Sequence, residues 1–132
     1  MRKNIVAGNW KMNMDYTAGI GLFSEIVNMV KDEVNGDQEV IVCPPYIHLN
    51  SLAQLARSSG KISIGAQNCH QVDFGAFTGE ISAPMIKSAG SEYVILGHSE
   101  RRQHFGEDNL LLAQKVKTAL KNLLKPIFCI GL

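Results

Sequence analysis

What most constrains this chain is an alternation between two kinds of apolar pattern. Short, nearly continuous apolar runs occur at Ile5–Gly8, Val40–Cys43, Ile62–Gly65, Tyr93–Leu96 and Pro126–Ile130. Between them, apolar residues recur at helical spacing: Phe23, Ile26, Val27, Val30 and Val34, then Leu49, Leu52, Ala53 and Ala56, and finally Leu112, Val116, Ala119, Leu120 and Leu123. A run that does not alternate reads as a strand covered on both faces, the habit of parallel strands. Strands interleaved with amphipathic helices give a parallel sheet with right-handed crossovers. The sequence therefore predicts an α/β chain of order β-α-β-α-β-α-β-α-β.

Punctuation residues set the expected boundaries. Asp15 is placed to cap the first helix. Gly19 and Gly21 each cost about 1 kcal/mol in a helix, so its firm part is expected after them. Gly36-Asp37 ends that helix, Pro44-Pro45 stops the second strand, and Ser58-Ser59-Gly60 ends the second helix. A polar, glycine-bearing loop covers Gln67–Glu80, and Ser82-Ala83-Pro84 opens a brief helix to Ser88. Glu107-Asp108 at the start of the last helix, with Lys115, Lys117 and Lys121 toward its end, matches the helix macrodipole.

Polar residues collect just after the strands: Asn9 and Lys11 after the first, Gln67 and Asn68 after the third, His98, Ser99 and Glu100 after the fourth. The carboxyl ends of parallel strands are where such folds place chemistry. In Tyr93–Arg102 the apolar run ends at Gly97, which permits a tight turn, and His98 is the next side chain. Ser99-Glu100-Arg101 can open a short helix that aims free N–H groups at the imidazole. The same residues are equally compatible with a packing histidine and a solvated Arg101-Arg102 pair. A dinucleotide fold needs G-x-G-x-x-G directly after the first strand, whereas Gly19-Ile20-Gly21 lies inside the helical segment. No G-x-x-x-x-G-K-[ST] loop is present. Polar residues at several strand ends point instead to the face of a (β/α) barrel.

Composition narrows the classes further. The 132 residues carry 13 basic and 12 acidic side chains, a net charge of +1, which leaves no basic stripe for nucleic acid and no polybasic membrane patch. No apolar run nears the roughly 20 residues of a membrane span. Cys43, Cys69 and Cys129 are odd in number and widely spaced, fitting reduced cytosolic thiols better than disulfides or a zinc site.

Four segments together resemble one family: Ala7-Gly8-Asn9-Trp10-Lys11-Met12-Asn13, Gly65-Ala66-Gln67-Asn68, Gly75-Ala76-Phe77-Thr78-Gly79-Glu80 and Tyr93–Arg102 are similar to triosephosphate isomerase. The resemblance implies a TIM barrel, of which residues 1–132 would be a partial domain of about strands one to five, with the C-terminal half absent. It implies interconversion of dihydroxyacetone phosphate and glyceraldehyde 3-phosphate through an enediolate, in glycolysis and gluconeogenesis in the cytoplasm, with no metal and no cofactor. It implies that Lys11 is the cation binding the phosphorylated triose and stabilising negative charge, supported by Asn9. His98 would be the electrophile that polarises the carbonyl; triosephosphate isomerase is itself the usual illustration of a histidine kept neutral by a helix N-terminus. Ser99 and Glu100 would orient groups around the site. Phe77-Thr78-Gly79 would reach into a partner subunit, as in the family's homodimers, and Cys129 would pack. His48, His70 and His104 match no catalytic position.

The resemblance also marks departures. The family's general base, a glutamate in an Ala-Tyr-Glu-Pro-Val-Trp setting, has no counterpart here, nor do the closing lid and the phosphate-gripping loops after later strands. Leu132 stands where the family continues Gly-Glu, as in a truncated or frame-disrupted product. The expectation is a chain inactive by itself. The alternative is a noncatalytic half-barrel that assembles with another half or binds anions; another barrel enzyme on phosphorylated sugars fits Asn-x-Lys with His-Ser-Glu less well. In a flat sheet, strands about 4.8 Å apart would hold the first and fourth roughly 14 Å from each other. Lys11 and His98 can share a ligand only if the sheet curls. Half a barrel would also leave two strand edges and an apolar inner face, so self-association or a partly molten chain is expected.

Overall fold

The structure, a computed structural model, describes residues 2–131; the expectation attached to Leu132 falls outside them. Strands β1 (Ile5–Asn9), β2 (Glu39–Cys43), β3 (Ile62–Ala66), β4 (Tyr93–Leu96) and β5 (Lys125–Phe128) form one sheet in sequential order, every neighbouring pair parallel. Helices α1 (Tyr16–Glu33), α2 (Leu49–Ala56), α3 (Ala83–Ser88), α4 (Ser99–Phe105) and α5 (Asn109–Lys121) connect them, with a 3₁₀ turn at Tyr46–His48 leading into α2. This is a curled half of a (β/α) barrel, the α/β parallel class that the alternation predicts.

Strand periodicity divides the core in two. Outward residues Val42, Ile64, Val94 and Leu96 pack on Phe23 and Val30 of α1, Leu49 and Leu52 of α2, Ile86 of α3 and Ala119 of α5. Inward residues Ile41, Cys43, Tyr93 and Ile95 form a second cluster on the concave face, joined by Ile127 and Cys129. Between β2 and β4, β3 offers that face only Ser63 and Gly65. A Cβ on Gly65 would stand 2.7 Å from Cys43 Sγ and 3.3 Å from Tyr93 Cβ. With no side chain there, β2 and β4 close over β3. At the amino ends of the strands the same gap lets Tyr93 Oη donate to Glu39 Oε1 at 3.0 Å, beside Ser63 Oγ at 2.8 Å and the Lys3 ammonium at 3.2 Å.

Three expectations need correction. Helix α1 starts at Tyr16, capped by Asp15 Oδ1 accepting from Ala18 N at 2.8 Å, and runs straight through Gly19 and Gly21. Gly19 is buried against the ring of fully buried His48, which leaves no room for a Cβ, so packing there outweighs the propensity cost. Strand β5 ends at Phe128 rather than Ile130, although Cys129 N still donates to Leu96 O; Ile130 is exposed. On α5 the expected Leu112 and Ala119 are buried and Val116 packs on the core, but Leu120 is exposed, as is Leu123 just past the helix end, and Lys115 and Thr118 are buried instead.

That rotation of α5 has a polar cause. Lys115 is buried with its ammonium on Glu107 Oε2 and on Asn68 Oδ1 at 2.9 Å, and Arg101 Nε donates to the same Glu107 oxygen at 2.9 Å. Thr118 donates to Asp73, which also takes Lys121 at 3.1 Å and Asn122 at 3.2 Å. Burial pushes the Glu107 carboxyl upward, but Lys115 and Arg101 outweigh it and hold it below the usual range. A carboxylate whose folded-state pKa is depressed binds fewer protons in the folded state, so stability rises with pH across its titration. The stabilisation is complete above the ordinary carboxylate pKa of about 4.3 and is lost as pH falls through the lowered value. Glu107→Gln strands the Lys115 ammonium in the interior and is expected to cost about 3–5 kcal/mol, read from urea unfolding at pH 7. The difference from wild type should shrink as the pH is taken below about 4.

Candidate active site

Two loops and one helix start meet above the carboxyl ends of β1, β3 and β4. At the end of β1, Trp10 N donates to Cys43 O at 3.0 Å, continuing the ladder, and the chain then turns sharply. Lys11 takes φ +57, in the left-handed region. A lysine there costs about 1–3 kcal/mol and persists only where its surroundings fix it. Its N–H donates to Asn9 Oδ1 at 2.9 Å, and its carbonyl accepts from Gln67 Nε2 at 2.9 Å. Its ammonium lies 2.7 Å from Glu100 Oε1.

The fourth strand delivers the histidine. Gly97 has φ +74, and a Cβ there would stand 3.2 Å from Cys129 O and 3.0 Å from the Arg102 guanidinium. His98 is the N-cap of α4: its Nδ1 accepts from Glu100 N at 3.1 Å, and its carbonyl accepts from the N–H groups of Arg101 and Arg102. A backbone N–H can only donate, so Nδ1 presents its lone pair and the ring proton is on Nε2. The Glu100 carboxylate, 3.6 Å from Nδ1, is then a neighbour rather than a hydrogen-bond partner. The hydrogen bond from Lys11 holds the Glu100 carboxyl below the usual carboxylate range.

These residues face one cavity of about 480 Å³, lined by Asn9, Lys11, Met12, Tyr46, Gln67, Asn68, His98, Glu100, Arg101, His104 and Phe105. Its size suits a small ligand, and its polar groups converge. A larger open groove, about 810 Å³, lies beside β5 along Val116, Phe128 and Ile130, away from these strand ends. The structure thus brings together Asn9, Lys11, His98 and Glu100, which the sequence singled out. Ser99, the first residue of α4, is exposed and does not line the cavity. Phe77, Thr78 and Gly79 lie on the exposed loop outside it, where the Phe77 ring packs on His70 at 4.3 Å.

The two arginines are not a solvated pair. Arg101 reaches Glu107, and Arg102 donates to Gly97 O at 2.8 Å, Asn109 Oδ1 at 2.9 Å and Cys129 O at 2.9 Å, pinning the turn before His98. Gln67 carries no expected role, yet its Nε2 donates to both Lys11 O and Cys43 O. His104 and Phe105 form part of the wall only because α4 exists, which Ser99-Glu100-Arg101 hinted at. Cys43 and Cys69 are free thiols that burial pushes up to about 12 and about 11, which suits packing rather than nucleophilic chemistry. Among the described residues no His, Cys, Asp and Glu cluster could hold a metal ion, and no helix is long and apolar enough to cross a membrane.

The family model described as triosephosphate isomerase matches residues 4–132. The chain belongs to the triosephosphate isomerase family. It is 54% identical to the triosephosphate isomerase of Cytophaga hutchinsonii over 131 residues, covering 99% of this chain and 51% of that relative. With the Bacteroides fragilis protein of the same name it shares 53% identity over 131 residues, and with that of Amoebophilus asiaticus 44%, at 99% of this chain and 51% and 52% of the relatives. The chain spans about half the length of the curated relatives it matches.

The turn before His98 is the most exacting point in the site's backbone. Gly97→Ala is expected to destabilise the chain by about 2 kcal/mol or more, combining left-handed strain with the clash at Cys129 O. Urea unfolding measures this. Ser99→Ala, at an exposed position outside the cavity, should shift the stability by no more than about 0.5 kcal/mol.

Proposed function

We propose that this cavity is the part of a triose-phosphate isomerase site built by the first strands of the barrel, acting on dihydroxyacetone phosphate and glyceraldehyde 3-phosphate. The observation that carries the reading is that Lys11, after β1, and His98, after β4, face the same cavity. With the proton on Nε2, His98 donates a hydrogen bond to the substrate carbonyl oxygen and stabilises the oxyanion as an enediolate forms. Lys11 supplies the positive charge for the phosphorylated ligand, its ammonium leaving Glu100 for the arriving anion, and Asn9 keeps its backbone in place. The exposed tip Phe77-Thr78-Gly79 is assigned to contact with a second subunit in a homodimer.

Removing the proton from carbon requires a base, and the family's glutamate belongs to a later segment than residues 1–132. A missing general base costs about 10²–10⁴-fold by itself. The 132-residue polypeptide assayed alone should therefore show no turnover beyond that of its Lys11→Ala, His98→Gln double variant; a clear excess over that control refutes this. Mixing it with the C-terminal half of the Cytophaga hutchinsonii relative should restore isomerisation, and Lys11→Ala or His98→Gln in this half should remove it again.

A second reading, a noncatalytic assembly module, is favoured by the exposed Ile5 and Val6 of edge strand β1 and by Phe128 at the end of β5. In that case the two halves associate without turnover, which size-exclusion chromatography of the same mixture distinguishes.

A further inference from the structure

We propose that Gln67 is a positioning residue for Lys11, holding the carbonyl side of the strained residue whose ammonium faces the cavity. The proposal rests on the reading of Lys11 as the anion-binding cation. Gln67 follows β3, between the strand that ends near Lys11 and the one that bears His98. Its single amide nitrogen donates to Lys11 O at 2.9 Å and to Cys43 O at 2.9 Å, using both of its hydrogens. The two acceptors lie on different segments, the turn after β1 and the end of β2, so one planar carboxamide ties both to β3.

The ties on Lys11 differ in kind. Asn9, the last residue of β1 and paired with Cys43 in the ladder, takes the Lys11 N–H on its Oδ1, so it holds the amide side of Lys11. Glu100 holds only the far end of the side chain. Gln67 holds the carbonyl side and ties it to the end of β3, and a lysine at φ +57 relaxes toward ordinary backbone once that hold is lost. Relaxation rotates the peptide and swings the side chain with it. The carboxamide therefore acts through Lys11, and no contact of its own with a ligand is needed.

The test uses inorganic phosphate as probe and the 132-residue chain as it stands, followed by ¹H–¹⁵N spectra. Lys11→Ala should weaken phosphate binding; an unchanged affinity removes the premise about Lys11, and with it the proposal. Gln67→Met keeps the length and loses both donors, and should weaken phosphate about five- to tenfold, the scale of one or two lost hydrogen bonds. In the Lys11→Ala background the same Gln67→Met change should have no further effect, because a group acting through Lys11 has nothing left to act on. Weakening by the same factor in both backgrounds, or an affinity within about twofold of wild type for Gln67→Met alone, overturns the proposal while leaving Lys11 its role. A second measurement needs no variant. In the wild-type chain, a scalar coupling across the hydrogen bond from Gln67 Nε2 to the Lys11 carbonyl carbon should be present, and its absence overturns the proposal even where Gln67→Met fails to fold.

Discussion

The concave face of this sheet can exist because one strand contributes almost nothing to it. On β3 the inward positions are Ser63 and Gly65, and the volume they leave is taken by Cys43 from one side and Tyr93 from the other. Close packing of that kind is what lets β2 and β4 lean over β3 instead of lying flat. Everything at the carboxyl ends follows from that curvature. It carries the turn after β1 and the start of α4 toward each other until Lys11 and Glu100 meet at 2.7 Å, although two strands separate β1 from β4.

Two devices then turn curvature into a site. One is a glycine: Gly97 makes a left-handed turn against the Cys129 carbonyl, and Arg102 ties that turn down with bonds to Gly97 O and Cys129 O. The other is a non-glycine residue held where glycine would be at ease, Lys11, at the cost that such backbone carries. Beneath them, the buried Lys115–Glu107 pair reaches Arg101 on one side and Asn68 on the other, so the floor of the cavity and the wall formed by α4 share one charged network. Both charged partners of Glu107 converge on its Oε2, while its Oε1 is buried without a hydrogen-bond partner.

Much of this was legible in the residues. Nearly continuous apolar runs marked all five strands, and polar residues after Gly8, Ala66 and Gly97 marked the face that carries the cavity. What the sequence hid was anything set by a distant partner. Gly19 looked like a weak helix start because nothing local announces that His48 will fill the space beside it. Leu120 and Leu123 fit a helical stripe as well as Lys115 and Thr118 do badly, yet the latter pair is inside, because Glu107 and Asp73 satisfy them there. Gln67 bonds to two main-chain carbonyls, and a carbonyl has no letter in a sequence.

The contact between Lys11 and Glu100 also sets the electrical character of the cavity. A lone ammonium in a recess attracts any small anion from the medium, whereas one with a carboxylate 2.7 Å away attracts them less. An incoming ligand has to outcompete an internal rival, so weakly charged ions gain little by entering, and the affinity of the recess measures a difference rather than a sum.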